Sequence, residues 1–481
     1  MIATRSRRLA KAPLVAAAAA TLAACASVSP DGGMSPVVSR VSLELGKDAA
    51  KIVTPADAVA AQGRVRSLLS RPLTADAAVQ IALLNNRGLQ ADYNALGVSE
   101  AAYVEASLPP SPVVSIERVA GSGDLDVERR LIADLLQLLT LPRRAKIAET
   151  EFRAAQQRAI AATFGAAAEA RRAWIRAVAA RETVGFLETA RASAGAAAEL
   201  TRKLGETGAA TKLDQARSAA LYAEVSTELA EARLDAARER EALTRRLGLW
   251  SRDADYRLPG RLPGFPKLKP QGDVEAAALT RRVDIIAARL ELDALAQEYG
   301  LTEQTRAISV LEVTGIANRL RSDDGEKANA KGFEVAVEIP IFDFGKARSA
   351  KAREAYMGAV NRLLEKAVNA RSEAREAYQT WRGRHDIARS YQTRVLPLRK
   401  TISEETLLRY NGMLVDVFDL LTNVRENVAS NVAAIRARRD FFIADVDFQA
   451  ALIGGGSPAP DAPPTAFAAA TSVSASSASP H

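Results

Sequence analysis

Little in this sequence can do chemistry. Its 481 residues include one cysteine, Cys25, and two histidines, His385 and His481. A single cysteine excludes an intrachain disulfide and a thiolate zinc site. No nucleophile–base pairing, Walker loop or metal-ligand spacing can be read. The expectation is therefore no enzyme, no catalytic residues, no cofactor and no metal centre. Four methionines, one of them the initiator, and two histidines make no ladder for copper or silver. Nor is there an apolar run long enough to span a bilayer as a helix: "APLVAAAAATLAA" is short of the ~20 residues needed. Charge is not one-sided either. The formal +8 falls to +4 once the four cations Arg5, Arg7, Arg8 and Lys11 of the first 24 residues are set aside. So weak a balance over so long a chain argues against nucleic-acid binding.

Those first residues are present for another reason. A basic stretch, a short apolar stretch and small residues before Cys25 make residues 1–24 a signal peptide. "LAAC" resembles a bacterial lipobox, which implies that Cys25 is acylated and becomes the mature N-terminus. The plainer reading is a stray cysteine in an ordinary signal peptide. Residues 25–72 would then be a lipidated N-terminal segment. At the other end, 454–481 is rich in Pro, Ser and Ala and poor in bulky apolar residues, so a disordered tail is expected.

What is abundant is repetition. "LLTLPRRAKIAETEFRAAQQ" (138–157) is similar to "IFDFGKARSAKAREAYMGAV" (341–360) at an offset of 203, setting Pro142 against Gly345. "KLGETGAATKLDQARSAA" matches "RYNGMLVDVFDLLTNVRE" at an offset of 204, setting Gly208 against Gly412. Upstream, "IALLNNRGLQADYNALGVSEA" and "ALTRRVDIIAARLELDALAQE" match near 196. Two copies of one plan are expected, at 73–248 and 273–453, joined by a Pro/Gly-rich linker at 249–272.

Each copy reads helix, strand, strand, long helix, helix. The first is expected as a helix at 74–107, strands at 111–120 and 126–138, and helices at 143–205 and 210–247. The second is expected as a helix at 273–304, strands at 306–317 and 332–342, and helices at 345–409 and 415–453. Only the last strand alternates cleanly, with Phe333, Val335, Val337, Ile339 and Ile341 on one face. "RRLIADLLQLL" alone also suits a helix. In the long helix, a seam stepping four and three runs Leu363, Ala367, Ala370, Ala374, Ala377, Trp381, Arg384, Ala388, Tyr391, Val395, Leu398, Ile402. That is a coiled-coil period, and Pro397 should bend it.

Strands of this length suit an outer-membrane barrel, but four cannot close one. Lipid tolerates no open edge, so chains must pool strands, and three copies give twelve. The fold class expected is mainly α with a membrane β-barrel: long coiled-coil hairpins plus four strands per chain, duplicated, forming a trimeric 12-stranded barrel that the long helices extend as a tube. The resemblance named next implies that this tube is a 12-helix periplasmic tunnel.

At this point the sequence resembles the TolC family of outer-membrane efflux channels. The resemblance rests on "LTADAAVQIALLNNRGLQA", "PIFDFGKARSAKAREA", "RYNGMLVDVFDLLTNVREN" and the duplicated layout, over residues 73–453. It implies a homotrimer in the outer membrane, in contact with lipid and extending into the periplasm. It further implies two partners, a periplasmic adaptor protein and an inner-membrane efflux pump. It assigns Asp416 and Asp419 to a periplasmic gate or selectivity ring and Tyr410 to supporting the closed tip. "GMLVD" is shorter than the family's pattern and lacks its arginine, so linkages through that residue do not carry over. The alternative is a periplasmic adaptor-type lipoprotein, which should show one helical hairpin rather than two. At offset 204, Asp416 and Asp419 face Lys212 and Gln215, which would make the acid pair special to the second copy.

Overall fold

The computed structural model describes residues 27–121, 124–266, 272–322, 324 and 326–455. The expected signal peptide, Cys25 and residues 456–481 lie outside the described residues.

The chain opens with two helices that the sequence reading did not anticipate, α1 (Ser35–Leu45) and α2 (Pro55–Leu69). Their signals were present. Thr54 and Asp57 form a capping box with Pro55 at the helix start, and Gly46 closes α1. Met34, Val37 and Val41 are buried against Leu96 and Phe164. The expected helix at 74–107 is two helices, α3 (Ala75–Asn85) and α4 (Arg87–Ser107). Asn86 breaks them with ψ 117° and caps α4 by accepting the Leu89 N–H at 3.1 Å.

Strands β1 (Val113–Gly121) and β2 (Asp124–Asp134) follow. Strand β2 was expected to reach 138. It stops at Asp134, whose carboxylate accepts the Gln137 N–H at 2.8 Å and starts a helix there. This helix, α5 (Leu135–Glu206), is 72 residues long, about 108 Å at ~1.5 Å per residue. Pro142 lies inside its third turn, so "LTLP" does not copy the turn "FDFG". Helix α6 (Lys212–Leu247) returns antiparallel, and the pair makes the first hairpin.

Residues 249–266 contain only a short 3₁₀ turn at Ser251–Ala254, as the clustered Pro259, Pro263 and Pro266 require. They are strapped onto the bundle. Tyr256, Leu258 and Leu262 are buried, and Arg240 stacks over the Tyr256 ring at 4.5 Å.

The second copy has α7 (Val274–Arg281), α8 (Val283–Gln304), β3 (Val310–Arg321) and β4 (Lys327–Glu338). Both strands sit about four residues nearer their shared turn than expected. The polar stretch read as loop pairs instead: Lys327 opposes Arg321, and the Ser322 N–H closes the turn on the Glu326 carbonyl at 3.0 Å. Ile339 and Ile341 fall beyond the strand. Helix α9 (Lys346–Ser390) then runs into a π turn at Tyr391–Val395 and continues as α10 (Leu396–Asn411). The irregularity expected at Pro397 is there, as a π turn immediately before it. Helix α11 (Val417–Ile453) completes the second hairpin.

The expected seam holds at Ala370, Ala374, Trp381 and Ala388, all buried. It fails at Arg384, where His385 is buried instead, between the edges of Phe265 and Phe441. It fails again beyond the π turn. The extra residue there rotates the helix, and Leu398 stands 63% exposed and Ile402 45% exposed.

Among the described residues no helix is long and apolar enough to cross a membrane.

Candidate functional site

All four strands form one antiparallel sheet in the order β1-β2-β3-β4, with β2 and β3 pairing the two copies at its centre. The helices that flank the strands, α4, α5, α8 and α9, join this sheet at one end, and each strand pair is connected at the other. Among the described residues, strands β1 and β4 each leave one edge without a partner.

The register sorts the side chains into two faces of unlike chemistry. One face carries, row by row from the helical end, Leu311 and Val337; Ala133, Val313 and Val335; Val114, Leu131, Gly315 and Phe333. Above these come three rows that contain Arg129 and Lys331, then Arg118 and Arg319, then Arg321 and Lys327. No acid occurs on this face. The other face carries Glu117, Asp126, Glu128, Asp134, Glu312, Glu334 and Glu338, with Arg130 as its only cation. This acidic face is the more sheltered one. Thr314 is buried and Asp126, Ile316 and Asn318 are half-buried, as on the inside of a curved sheet. An exposed apolar band backed by a polar lining is the pattern of a barrel wall between lipid and water.

The strand-to-helix junction "PIFDFG" is a compact turn. Phe344 (φ 49°) and Gly345 (φ 71°) both have left-handed backbone. At Gly345 a Cβ would lie 2.4 Å from the Arg306 carbonyl oxygen, so only glycine lets helix α9 start this close to the end of α8. The Asp343 carboxylate accepts the N–H of Gly345 at 2.9 Å and of Ala347 at 3.1 Å, fixing the new helix. Ile339, Ile341, Phe342 and Phe344 are all exposed, Phe342 by 98%. Apolar and aromatic side chains at this level extend the band toward the helices.

At the far end lie the two hairpin tips, about 100 Å away along the helices. In the first tip, Gly208 (φ 80°) donates its N–H to Gly205, Ala209 donates to Leu204, and Thr211 caps α6 in a box with Asp214. In the second, Met413 (φ 56°) donates to Tyr410, Leu414 donates to Arg409, and Asp416 caps α11 by accepting the Asp419 N–H at 2.9 Å. The two turns superpose at an offset of 205, not 204. Asp416 therefore matches Thr211 and Asp419 matches Asp214, and the comparison with Lys212 and Gln215 is corrected. The glycines misled because the left-handed position, held by Gly208 in the first tip, is held by Met413 in the second, while Gly412 has φ −84°.

Asp416 is thus the capping acid, and Asp419 is an acid in the first turn that supplies the N–H Asp416 accepts. Asp416 and Asp419 are exposed and Tyr410 is half-buried. Asp214 belongs with them, and "TKLD" carried its signal as a capping box. Contacts that bind the two hairpins together were not legible: Arg217 lies over the Phe418 ring at 4.8 Å, and Arg425 grips Glu224 at 2.8 and 3.0 Å. Beneath them Ala194, Leu221, Val225 and Leu421 form a small buried cluster.

No protein-family model matches this sequence, and no curated relative matches it. Solved structures do. The CmeC outer membrane channel of Campylobacter jejuni aligns with a TM-score of 0.69 and 18% identity over 80% of this chain and 87% of that one. The outer membrane protein VceC of Vibrio cholerae aligns at 0.67 and 17%, over 80% and 97%. The open state of the MtrE outer membrane channel of Neisseria gonorrhoeae aligns at 0.65 and 17%, over 79% and 88%. At these identities the likeness is one of fold, and nearly the whole of each channel is covered.

Proposed function

We propose that this chain is the outer-membrane channel of a tripartite efflux or secretion system, a passive duct and not an enzyme. In this reading three copies close a twelve-stranded barrel and a twelve-helix periplasmic tunnel. A periplasmic adaptor connects the tunnel to an inner-membrane pump, and acylation at Cys25 adds a second attachment to the membrane. The observation that carries the reading is the open four-stranded sheet, with an apolar band and basic rows on one face, acids on the other, and both edges unpaired among the described residues. Unpaired backbone groups are costly in lipid, so the sheet is complete only when β1 of one copy meets β4 of the next. An adaptor would need neither membrane-length strands nor two helical hairpins.

Strands of 9 to 12 residues support the membrane placement. At ~3.3 Å per residue and a tilt near 40° they rise roughly 23–30 Å, and on the outward face the apolar rows fill the helical half of that height, continued below by Ile339, Ile341, Phe342 and Phe344, with the basic rows above. The tip acids support a gate. Three copies would bring Asp214, Asp416 and Asp419 into rings around a narrow axis, where cations concentrate and like charges repel. Tyr410, one turn before the loop, would brace that closed tip.

The test is electrical. Purified protein in a planar bilayer is expected to give trimer-sized particles and cation-preferring channels that multivalent cations block from the periplasmic side. Asp416→Asn with Asp419→Asn should weaken both selectivity and block while the trimer persists. A monomer without conductance would end the channel reading. Unchanged selectivity in the double variant would leave these acids as helix caps alone.

A further inference from the structure

Six cations share the outward face of the sheet, and they are not scattered. They occupy three successive rows at the turn end, two in each: Arg129 with Lys331, Arg118 with Arg319, Arg321 with Lys327. The rows are about 6.6 Å apart along the strands, so the belt is roughly 13 Å deep. Directly below it every residue of that face is apolar or glycine, from Val114, Leu131, Gly315 and Phe333 down to Leu311 and Val337. All six cations are exposed.

Their pairing within the chain is poor. Arg321 and Lys327 stand directly opposite each other across β3 and β4, a like-charge pair that costs stability in a sheet. Among the described residues none of the six has a carboxylate within salt-bridge distance, and Arg319 donates only to the Asn329 side-chain oxygen at 3.3 Å. The sheet's acids are all on the opposite face, so they cannot reach. Long basic side chains standing over an apolar band place their heads at the polar boundary of a bilayer.

We propose that this belt binds phosphate-bearing headgroups of anionic lipids in the leaflet at the turn end of the barrel. The proposal rests on the barrel reading above. Arginine and lysine clusters on a membrane-embedded wall suit phosphate, with arginine able to grip two oxygens at once. A closed ring of three copies would repeat the belt around the whole circumference.

The experiment uses the detergent-purified full chain and native mass spectrometry. Dioleoyl phosphatidic acid, dioleoyl phosphatidylcholine and inorganic phosphate are titrated separately. Phosphatidic acid is expected to be retained in several copies per particle, phosphatidylcholine far less, and retention should fall as salt rises. The variant Arg319→Gln, Arg321→Gln, Lys327→Gln, Lys331→Gln should need at least tenfold more phosphatidic acid for equal occupancy. If that variant fails to assemble, Arg321→Gln alone should weaken retention a few-fold without loosening the particle, since it relieves the opposed pair. Equal retention in the variants and the parent would overturn the proposal. So would inorganic phosphate displacing the lipid as well as phosphatidic acid does, since that marks a site for free anions. Channel conductance measured on the same preparation separates this outcome from failure of the barrel reading. A conducting particle that ignores phosphatidic acid sinks only the belt.

Discussion

The two copies within the chain are built to one plan but differ where the plan is under strain. In the first, the long helix α5 is continuous and its tip turns on Gly208, which tolerates φ 80° freely. In the second, the corresponding helix is interrupted by a π turn before Pro397, and its tip turns on Met413 at φ 56°. The same contrast appears at the helix breaks upstream. Asn86 and Arg282 lie 196 residues apart and share one backbone shape, with ψ 117° and 122°. Asn86 serves its break by capping α4. Arg282 serves it with charge, reaching Asp284 at 2.9 and 3.0 Å and Glu373 at 2.7 Å from a site only 6% exposed. In its backbone the first copy is thus the regular one, and the second carries the departures. Irregular backbone costs stability, so the second hairpin, with its π turn and left-handed Met413, is the half in which alternative arrangements are nearest in energy.

The largest contrast is expected at the helix breaks. Arg282→Ala removes a buried cation's ion pairs and packing, but Asp284 keeps the Ile285 N–H and the charge of Lys366, and Glu373 is partly exposed, so the cost should be about 2–3 kcal/mol, against about 1 kcal/mol for Asn86→Ala. Equal shifts in a denaturant titration would erase the distinction. The same arginine gives a pH signature. Burial pushes the Asp284 carboxyl up, but hydrogen bonds and charge from Arg282 outweigh it and hold the carboxyl below its usual value. A lowered carboxyl contributes stability above the unfolded value near 3.9, lost as pH falls through the lower folded value. Arg282→Ala should remove that acid limb.

Next in size is the exchange of tip residues. Met413→Gly should stabilise the second hairpin by about 1 kcal/mol by relieving a left-handed non-glycine residue, and Gly208→Ala should cost the first about as much. Hydrogen exchange at each tip reads the pair, and shifts of the same sign would contradict it. Pro397→Ala restores a donor to the interrupted helix. It is expected to slow amide exchange across Tyr391–Val395 toward the rate of the mid-region of α5, and an unchanged rate would assign the π turn to packing rather than proline.

The smallest effect is at Asp445. Burial pushes this carboxyl up, against the hydrogen bond it accepts from Trp381 at 2.9 Å. A raised carboxyl costs stability once pH exceeds its unfolded value, the full cost being reached above the folded value. Asp445→Asn keeps an acceptor for Trp381 without the charge, so the melting midpoint should rise slightly at neutral pH and not at pH 3.

What the sequence made legible follows from how local each signal is. Strand β4 could be read because Phe333, Val335 and Val337 alternate against a polar face. The long helices could be read because their period persists over many turns. The one-residue breaks at Asn86 and Arg282 could not, since the apolar period runs on through a single extended residue. The strand ends drifted because Lys327 and Arg321 look like loop residues until they are seen to pair above the apolar band. The seam failed at Leu398 because one extra residue in a π turn rotates everything beyond it, and no period contains that residue. At the tip, Asp416 and Asp419 were readable as acids at a helix start. Their equivalence to Thr211 and Asp214 was hidden because a methionine had taken the glycine's backbone role.

The unpaired margins of β1 and β4 carry a genetic consequence. In the proposed ring of three, every margin would be met by a neighbour's, so a single faulty margin would leave the whole ring unclosed. A chain with proline placed in β1 would still offer a sound β4 and would still be recruited. Co-expressed in equal amounts with the intact chain, it would leave only about one ring in eight free of it, by random sampling. Loss-of-function alleles in these two strands should therefore behave as dominant poisons, while null alleles that make no chain stay recessive.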